Sequence, residues 1–304
     1  MDVNLSLLKK QYWMANEGEF ANIEYKITNV QQLTEKYRNY AYTENLREEC
    51  EVIFSYATYI LEGEHSDNNE VMRKRISNCM RAIHYLKNIV KDSPLTASHI
   101  KSVHEIIMHD EKDVLIGEYR TKSVFAGYTT FAPYSTISRL VNEALNRYYH
   151  SCKDPIGRAT DLYMDLINTH PFEDGNGRLC RVLLSHVLMQ SGCTLFPVIL
   201  SSFHKRGRRH YIQAVKKYDY NPSMLYTMVA VSIVRAWDNF KIRQELYQEL
   251  YQKIGQVLGQ ELAQELVKNL SLEYGVIPKP DKNFIKFLGK NLGKNLLRTC
   301  ARTC

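Results

Sequence analysis

Apolar residues recur at three- and four-residue spacing along most of this chain, and few glycines or prolines interrupt them. That pattern predicts a predominantly helical architecture. From Asn45 to Leu61, the residues Leu46, Cys50, Ile53, Phe54, Ala57 and Leu61 form one helical stripe, with Gly63 as its stop. Ser93-Pro94-Leu95-Thr96 marks a boundary at which Thr96 caps a helix carrying Ile100, Val103 and Ile107. Further helices are expected over Ile137–Tyr149, Ala159–Thr169, Gly177–Gln190 and Tyr211–Tyr218. Met224–Val234 reads as a core helix, too short and too interrupted to cross a bilayer. Ser123–Ala126 is the single expected extended segment; it ends at Gly127 ahead of Pro133 and reads as a hairpin or flap. Beyond Trp237, Leu246, Leu250, Ile254, Leu258, Leu262, Leu266 and Leu270 recur at every fourth position, which suits a curved packing contact.

Charge changes this picture only at the C-terminus. Of a formal net charge of +7, nearly all comes from Val276–Cys304, where seven Lys or Arg stand against a single Asp. The near-neutral remainder gives no reason to expect a nucleic-acid groove. Lys282, Lys286, Lys290, Lys294, Arg298 and Arg302 alternate with Phe284, Ile285, Phe287, Leu288, Leu292 and Leu296. This basic amphipathic helix either folds against the body as a solvated face or meets a membrane surface, an acidic protein or a helix-binding groove. Seven cysteines without a C-x-x-C pair argue against a disulfide framework and a structural zinc. With no signal-peptide pattern at the N-terminus, a reducing, cytoplasmic location is the expectation.

One segment concentrates chemistry: His170-Pro171-Phe172-Glu173-Asp174-Gly175-Asn176-Gly177-Arg178, between two amphipathic helices. Gly175, Asn176 and Gly177 permit turn conformations in which backbone N–H groups converge on an anion, at the positive end of the next helix. Arg178 and Arg181, three apart on that helix, can grip phosphate oxygens, and Asp174 can hold a magnesium ion beside them. His170 then remains as a proton acceptor for an incoming hydroxyl, titrating near neutrality. A calcium loop fails because Arg178 and Ser185 occupy ligand positions. Zinc held by His170 and Asp174 on one helical face is opposed by Pro171 and Gly175. A purely structural turn would not require two glycines, a carboxylate and paired arginines together.

At these residues the sequence resembles the Fic family, whose signature His-Pro-Phe-x-(Asp/Glu)-Gly-Asn-Gly-Arg is matched from His170 to Arg178, with the second arginine at Arg181. The resemblance runs from about Leu95 through Val234 and includes Gly117-Glu118-Tyr119-Arg120. It implies an all-α fold with one small β-hairpin flap, a catalytic domain over 93–236, and helical extensions over 1–92 and 237–304. It also implies transfer of AMP from Mg-ATP to a Ser, Thr or Tyr hydroxyl of a target protein. In that scheme His170 is the base, Asp174 the Mg2+ ligand, Gly175, Asn176 and Gly177 the phosphate nest, and Arg178 and Arg181 the holders of the β and γ phosphates. Val124, Phe125, Ala126 and Gly127 match the flap that holds the target and borders the nucleotide. Tyr211 matches an aromatic near the adenine, and Asp219 stands where relatives often carry Asn. Upstream, Thr58-x-x-x-Glu62-Gly63 resembles the inhibitory helix of relatives whose brake precedes the catalytic domain, with Glu62 paired to Arg181 in place of the γ phosphate. Relatives with this brake are often dimers. The same site implies two alternatives: a de-AMPylating phosphodiesterase, or a catalytically silent nucleotide-binding adaptor.

Overall fold

The computed structural model describes residues 34, 41–62, 69–90, 93–112, 114–126, 129–200 and 205–237. Among these the order is α1 (Ala41–Glu62), α2 (Asn69–Ile89), α3 (Ala97–Ile107), β1 (Phe125–Ala126), β2 (Thr129–Thr130) and a 3-10 turn at Tyr134–Thr136. Then come α4 (Ile137–His150), α5 (Pro155–Thr169), α6 (Asn176–Gln190), α7 (Lys205–Lys216) and α8 (223–237). The all-α expectation with one small hairpin holds. Gly63, Gly127, the leucine-rich segment and the basic tail lie outside the described residues.

Local chemistry sets the helix starts. Thr96 accepts a hydrogen bond from the His99 backbone N–H while His99 Nδ1 accepts one from the Thr96 N–H, a reciprocal cap on α3. The helix expected at Ala159 begins four residues earlier, because the Asp154 carboxylate accepts from the N–H groups of Ile156 and Gly157 and Pro155 fits the first turn. Similarly, α7 begins at Lys205 rather than Tyr211. The sequence pattern assigns no element between Gly63 and Ser93, yet α2 lies there. Arg73, Lys74, Arg75, Arg81 and Lys87 break its apolar run. Its buried residues Met72, Cys79, Ala82, Ile83 and Leu86 make a stripe only once they meet α1 and α3.

The center of the fold is α6, which packs against α5, α3, α2 and α1. Every residue from Arg178 to Leu188 on it is buried. A helix wrapped on all sides should be apolar all round, so its two buried arginines need partners, and they define the site. The hairpin pairs Phe125 with Thr130 and Ala126 with Thr129 in antiparallel register. Phe125 is largely exposed. No described helix is long and apolar enough to cross a membrane.

Candidate active site

The loop between α5 and α6 is built around a left-handed residue. His170 caps α5 with φ +48°, the single non-glycine residue with positive φ among those described. Such a conformation costs of order 1–3 kcal/mol and persists only where surroundings over-determine it. Here the His170 N–H donates to Leu166 O at 2.9 Å, the His170 carbonyl accepts from Arg120 Nε at 2.7 Å, and the ring lies flat on Phe131 with centroids 3.7 Å apart. Because Ile167 O can only accept, Nδ1 of His170 carries the proton at 3.3 Å from it, which leaves Nε2 with a free lone pair.

Sequence reading places the His170 titration near neutrality; the structure corrects this. Burial, with the Arg120 cation nearby, pushes the imidazole down to about 4. It is therefore uncharged at physiological pH and ready to accept a proton.

The Asn176 side chain holds the loop together, a contact separate from the nest expected of its backbone N–H. Its Oδ1 accepts from the Phe172 N–H at 3.0 Å and its Nδ2 donates to Phe172 O at 2.9 Å. Sequence reasoning missed a second support, His104. Its Nδ1 accepts from the Gly117 N–H at 3.0 Å, so Nε2 must donate to Asp174 O, also at 3.0 Å. The His104 ring stacks on buried Phe172 with centroids 3.8 Å apart, and burial pushes its pKa down to about 4. The only sequence signal was a histidine on the buried stripe of α3.

Gly175 has φ +73°, and a Cβ there would stand 2.5 Å from Met108 Sδ. Gly175→Ala is expected to cost roughly 2–5 kcal/mol, combining left-handed strain of about 1–2 kcal/mol with overpacking of about 1–3 kcal/mol. Urea unfolding against wild type measures it.

At the start of α6 the N-cap is Gly175, which offers no side chain to the first-turn N–H groups. A carboxylate from α1 stands there. A Cβ on Gly177 would lie 2.1 Å from Glu62 Oε1, so only glycine lets Glu62 approach this closely. Glu62 Oε1 accepts from Arg181 Nη2 at 2.5 Å. Thr58 completes the grip: its Oγ1 accepts from Arg181 Nε at 2.6 Å and its carbonyl from Nη2 at 2.9 Å. Arg181 Nη1 lies beside Gly177, buried and without a hydrogen-bond partner among the described residues.

Burial works against the Glu62 charge, but Arg181 outweighs it and holds the carboxyl below the usual range; Arg181 is raised in turn. A carboxylate with a depressed folded pKa stabilises above its unfolded pKa and loses that contribution as pH falls through the folded value. The melting-temperature difference between wild type and Glu62→Gln should therefore be present at neutral pH and shrink as pH drops below about 4.3. Thermal melts at stepped pH read it.

Arg178 is held by two carboxylates. Its Nη2 is 3.1 Å from Asp174 Oδ2 and its Nη1 is 3.4 Å from Glu111 Oε1, while the guanidinium lies over the Tyr59 ring at 5.3 Å. Glu111 is itself bound by Arg75 through Nε at 3.0 Å and Nη2 at 3.2 Å. Asp174 is more than half exposed, and its Oδ1 accepts from the Gly175 N–H at 2.6 Å. Among the described residues no cluster of three or more His, Cys, Asp or Glu could hold a metal. A single accessible carboxylate completed by phosphate oxygens and water is the donor set that magnesium takes, so Asp174 fits that ion.

Tyr211 presents its hydroxyl to that of Tyr163 on α5 at 2.5 Å, with Arg181 close enough to act on it electrostatically. Asp219 is exposed in the turn after α7. A separate cleft of about 460 Å³, lined by residues including Arg147, Asp161, Asp165 and Tyr218, contains none of the residues the sequence singles out.

Residues 94–188 match the Fic/DOC family. The chain is 35% identical to protein adenylyltransferase fic-1 of Caenorhabditis briggsae over 109 residues, covering 35% of this chain and 21% of that protein. It is 28% identical to protein adenylyltransferase Fic of Aedes aegypti over 135 residues, covering 43% of this chain and 27% of that protein. The match thus spans about a quarter of these relatives' length. Among solved structures, Fic-1 of Caenorhabditis elegans superposes with a TM-score of 0.58 at 20% identity, covering 79% of this chain and 82% of that one. A Fic-domain protein from Bacteroides thetaiotaomicron superposes with a TM-score of 0.57 at 19% identity, covering 69% and 93%. These likenesses show the helical fold.

Proposed function

We propose, for a chain whose residues 94–188 are a Fic/DOC-family domain, that it transfers AMP from ATP to a Ser, Thr or Tyr hydroxyl of a target protein, with Glu62 as an intramolecular brake. One observation carries this reading: at the uncapped start of α6 a carboxylate occupies an anion cup beside a buried, incompletely bonded Arg181, next to an uncharged imidazole. Helix N-termini and arginines that accept a carboxylate accept phosphate oxygens equally well.

In the reaction, His170 Nε2 takes the proton of the hydroxyl as its oxygen attacks the α phosphate in line, and pyrophosphate leaves. Arg181, freed from Glu62, takes the γ phosphate. Arg178 exchanges Asp174 for phosphate oxygen. Magnesium, bound through Asp174, supplies charge neutralisation for the polyphosphate. The protein contributes positioning and electrostatics rather than a covalent intermediate. Catalysis then belongs to 93–236, the region before it supplies the brake, and 237–304 is an extension. The same site supports hydrolytic removal of AMP, with water replacing the hydroxyl, because Glu62 is within electrostatic reach of His170 and can orient that water.

Mass spectrometry of the full chain carrying Glu62→Gly, after incubation with Mg-ATP, tests the reading. An AMP adduct on a hydroxyl residue is the expected result. No adduct, together with no ATP binding by calorimetry, refutes it.

A further inference from the structure

Arg120 is a buried cation, 2% exposed, whose hydrogen bonds all run to backbone carbonyls. Nη1 donates to Lys122 O at 2.9 Å and Nη2 to Ala132 O at 2.5 Å, on either side of the β1–β2 hairpin. Nε donates to His170 O at 2.7 Å and Nη2 also to Thr169 O at 3.3 Å, at the C-terminal end of α5. The Arg120 backbone N–H adds a bond to Pro171 O at 3.0 Å. Burying a guanidinium is expensive unless its donors are satisfied. The carbonyls at a helix C-terminus are a favourable place for it. If packing alone were needed, an apolar side chain would serve at lower cost. What the fork provides is geometry, because five planar donors fix several carbonyls relative to one another.

Between the end of β2 and the bonded Ala132 stands Phe131, whose ring lies on the His170 imidazole with a 13° interplanar angle. The hairpin and the imidazole are therefore joined twice, once through backbone and once through stacked rings.

We propose that Arg120 is a positioning residue that locks both feet of the hairpin to the His170 backbone, so that a polypeptide segment docked on the hairpin is held in register with the imidazole through Phe131. This rests on His170 being the base. It goes further by making base orientation depend on the hairpin's anchorage.

The test uses the full chain with Glu62→Gly as parent, adding Arg120→Lys, which keeps the charge and loses the fork, or Phe131→Leu. Nitrogen-15 NMR of histidine-labelled protein reads the His170 tautomer. The parent should show one neutral form protonated on Nδ1, and each variant a mixture of tautomers. Self-labelling at saturating Mg-ATP should fall by about 10²-fold, the scale expected for a misplacement near 1 Å. The dissociation constant for Mg-ATP should stay within about twofold, since ground-state binding is untouched. A merely structural arginine would lower the melting temperature and leave the His170 signal as in the parent. That unchanged signal, in either folded variant, overturns the proposal. If Arg120→Lys fails to fold, Phe131→Leu decides. A parent that does not label itself counts against nucleotidyl transfer, while the His170 spectra still decide the coupling.

Discussion

Replacing Glu62 by Gly is expected to raise AMP incorporation, into the chain itself or into a target, by about 10- to 100-fold. Hydrogen bonds to charged groups contribute roughly 1.5–3 kcal/mol, and this pair competes directly with phosphate for Arg181. The substitution removes the carboxylate from the start of α6 yet leaves Thr58 bonded to Arg181 Nε and Nη2, so the guanidinium keeps its orientation while its free donors become available. Stability should fall at the same time, because a buried cation loses its counter-charge. Breaking a buried pair costs about 3–5 kcal/mol, and Glu62, whose side chain is 34% exposed, should sit at or below the low end. Labelled ATP with wild type and variant side by side, together with thermal melts, measures both effects. Equal labelling would count against the brake.

His170→Ala should reduce transfer by about 10²–10⁴-fold, the contribution typical of a positioned general base. Binding of Mg-ATP should persist, since the groups proposed to hold phosphate are Arg178, Arg181 and the first turn of α6. Alanine tolerates the +48° backbone poorly, so His170→Asn is the better companion variant; asparagine enters the left-handed region readily. Both variants should lose labelling in the Glu62→Gly background while calorimetry still detects ATP. A silent adaptor would lose nothing.

Most of the loop chemistry was legible because its residues are contiguous. His170 through Arg181 forms one short stretch, and local spacing is enough to place two arginines on one helix and a turn before it. Thr96 announced its helix through capping, and Phe54, Ala57 and Leu61 through their stripe. By contrast α2 was not named, because its apolar positions are diluted by charge and acquire meaning only against neighbours. His104 was unreadable for the same reason: its partners, Gly117 N and Asp174 O, are distant in the chain. The clasp of the Asn176 side-chain amide on Phe172 was unreadable too, because only the shape of the loop brings the two together.

By itself the sequence determined the helical class, the turn between α5 and α6, and the inventory of imidazole, carboxylate and guanidinium groups, since these depend on neighbours within about four residues, the reach of a helical turn. Tertiary structure alone decided how those groups are poised. It formed the Glu62–Arg181 pair that spacing could not give and only the family resemblance implied, joined Arg75 and Glu111 to Arg178, and laid Phe131 and Arg120 against His170. The reason is physical: burial sets the cost of each charge and the partner that must offset it, and burial exists only once separate helices enclose the same space.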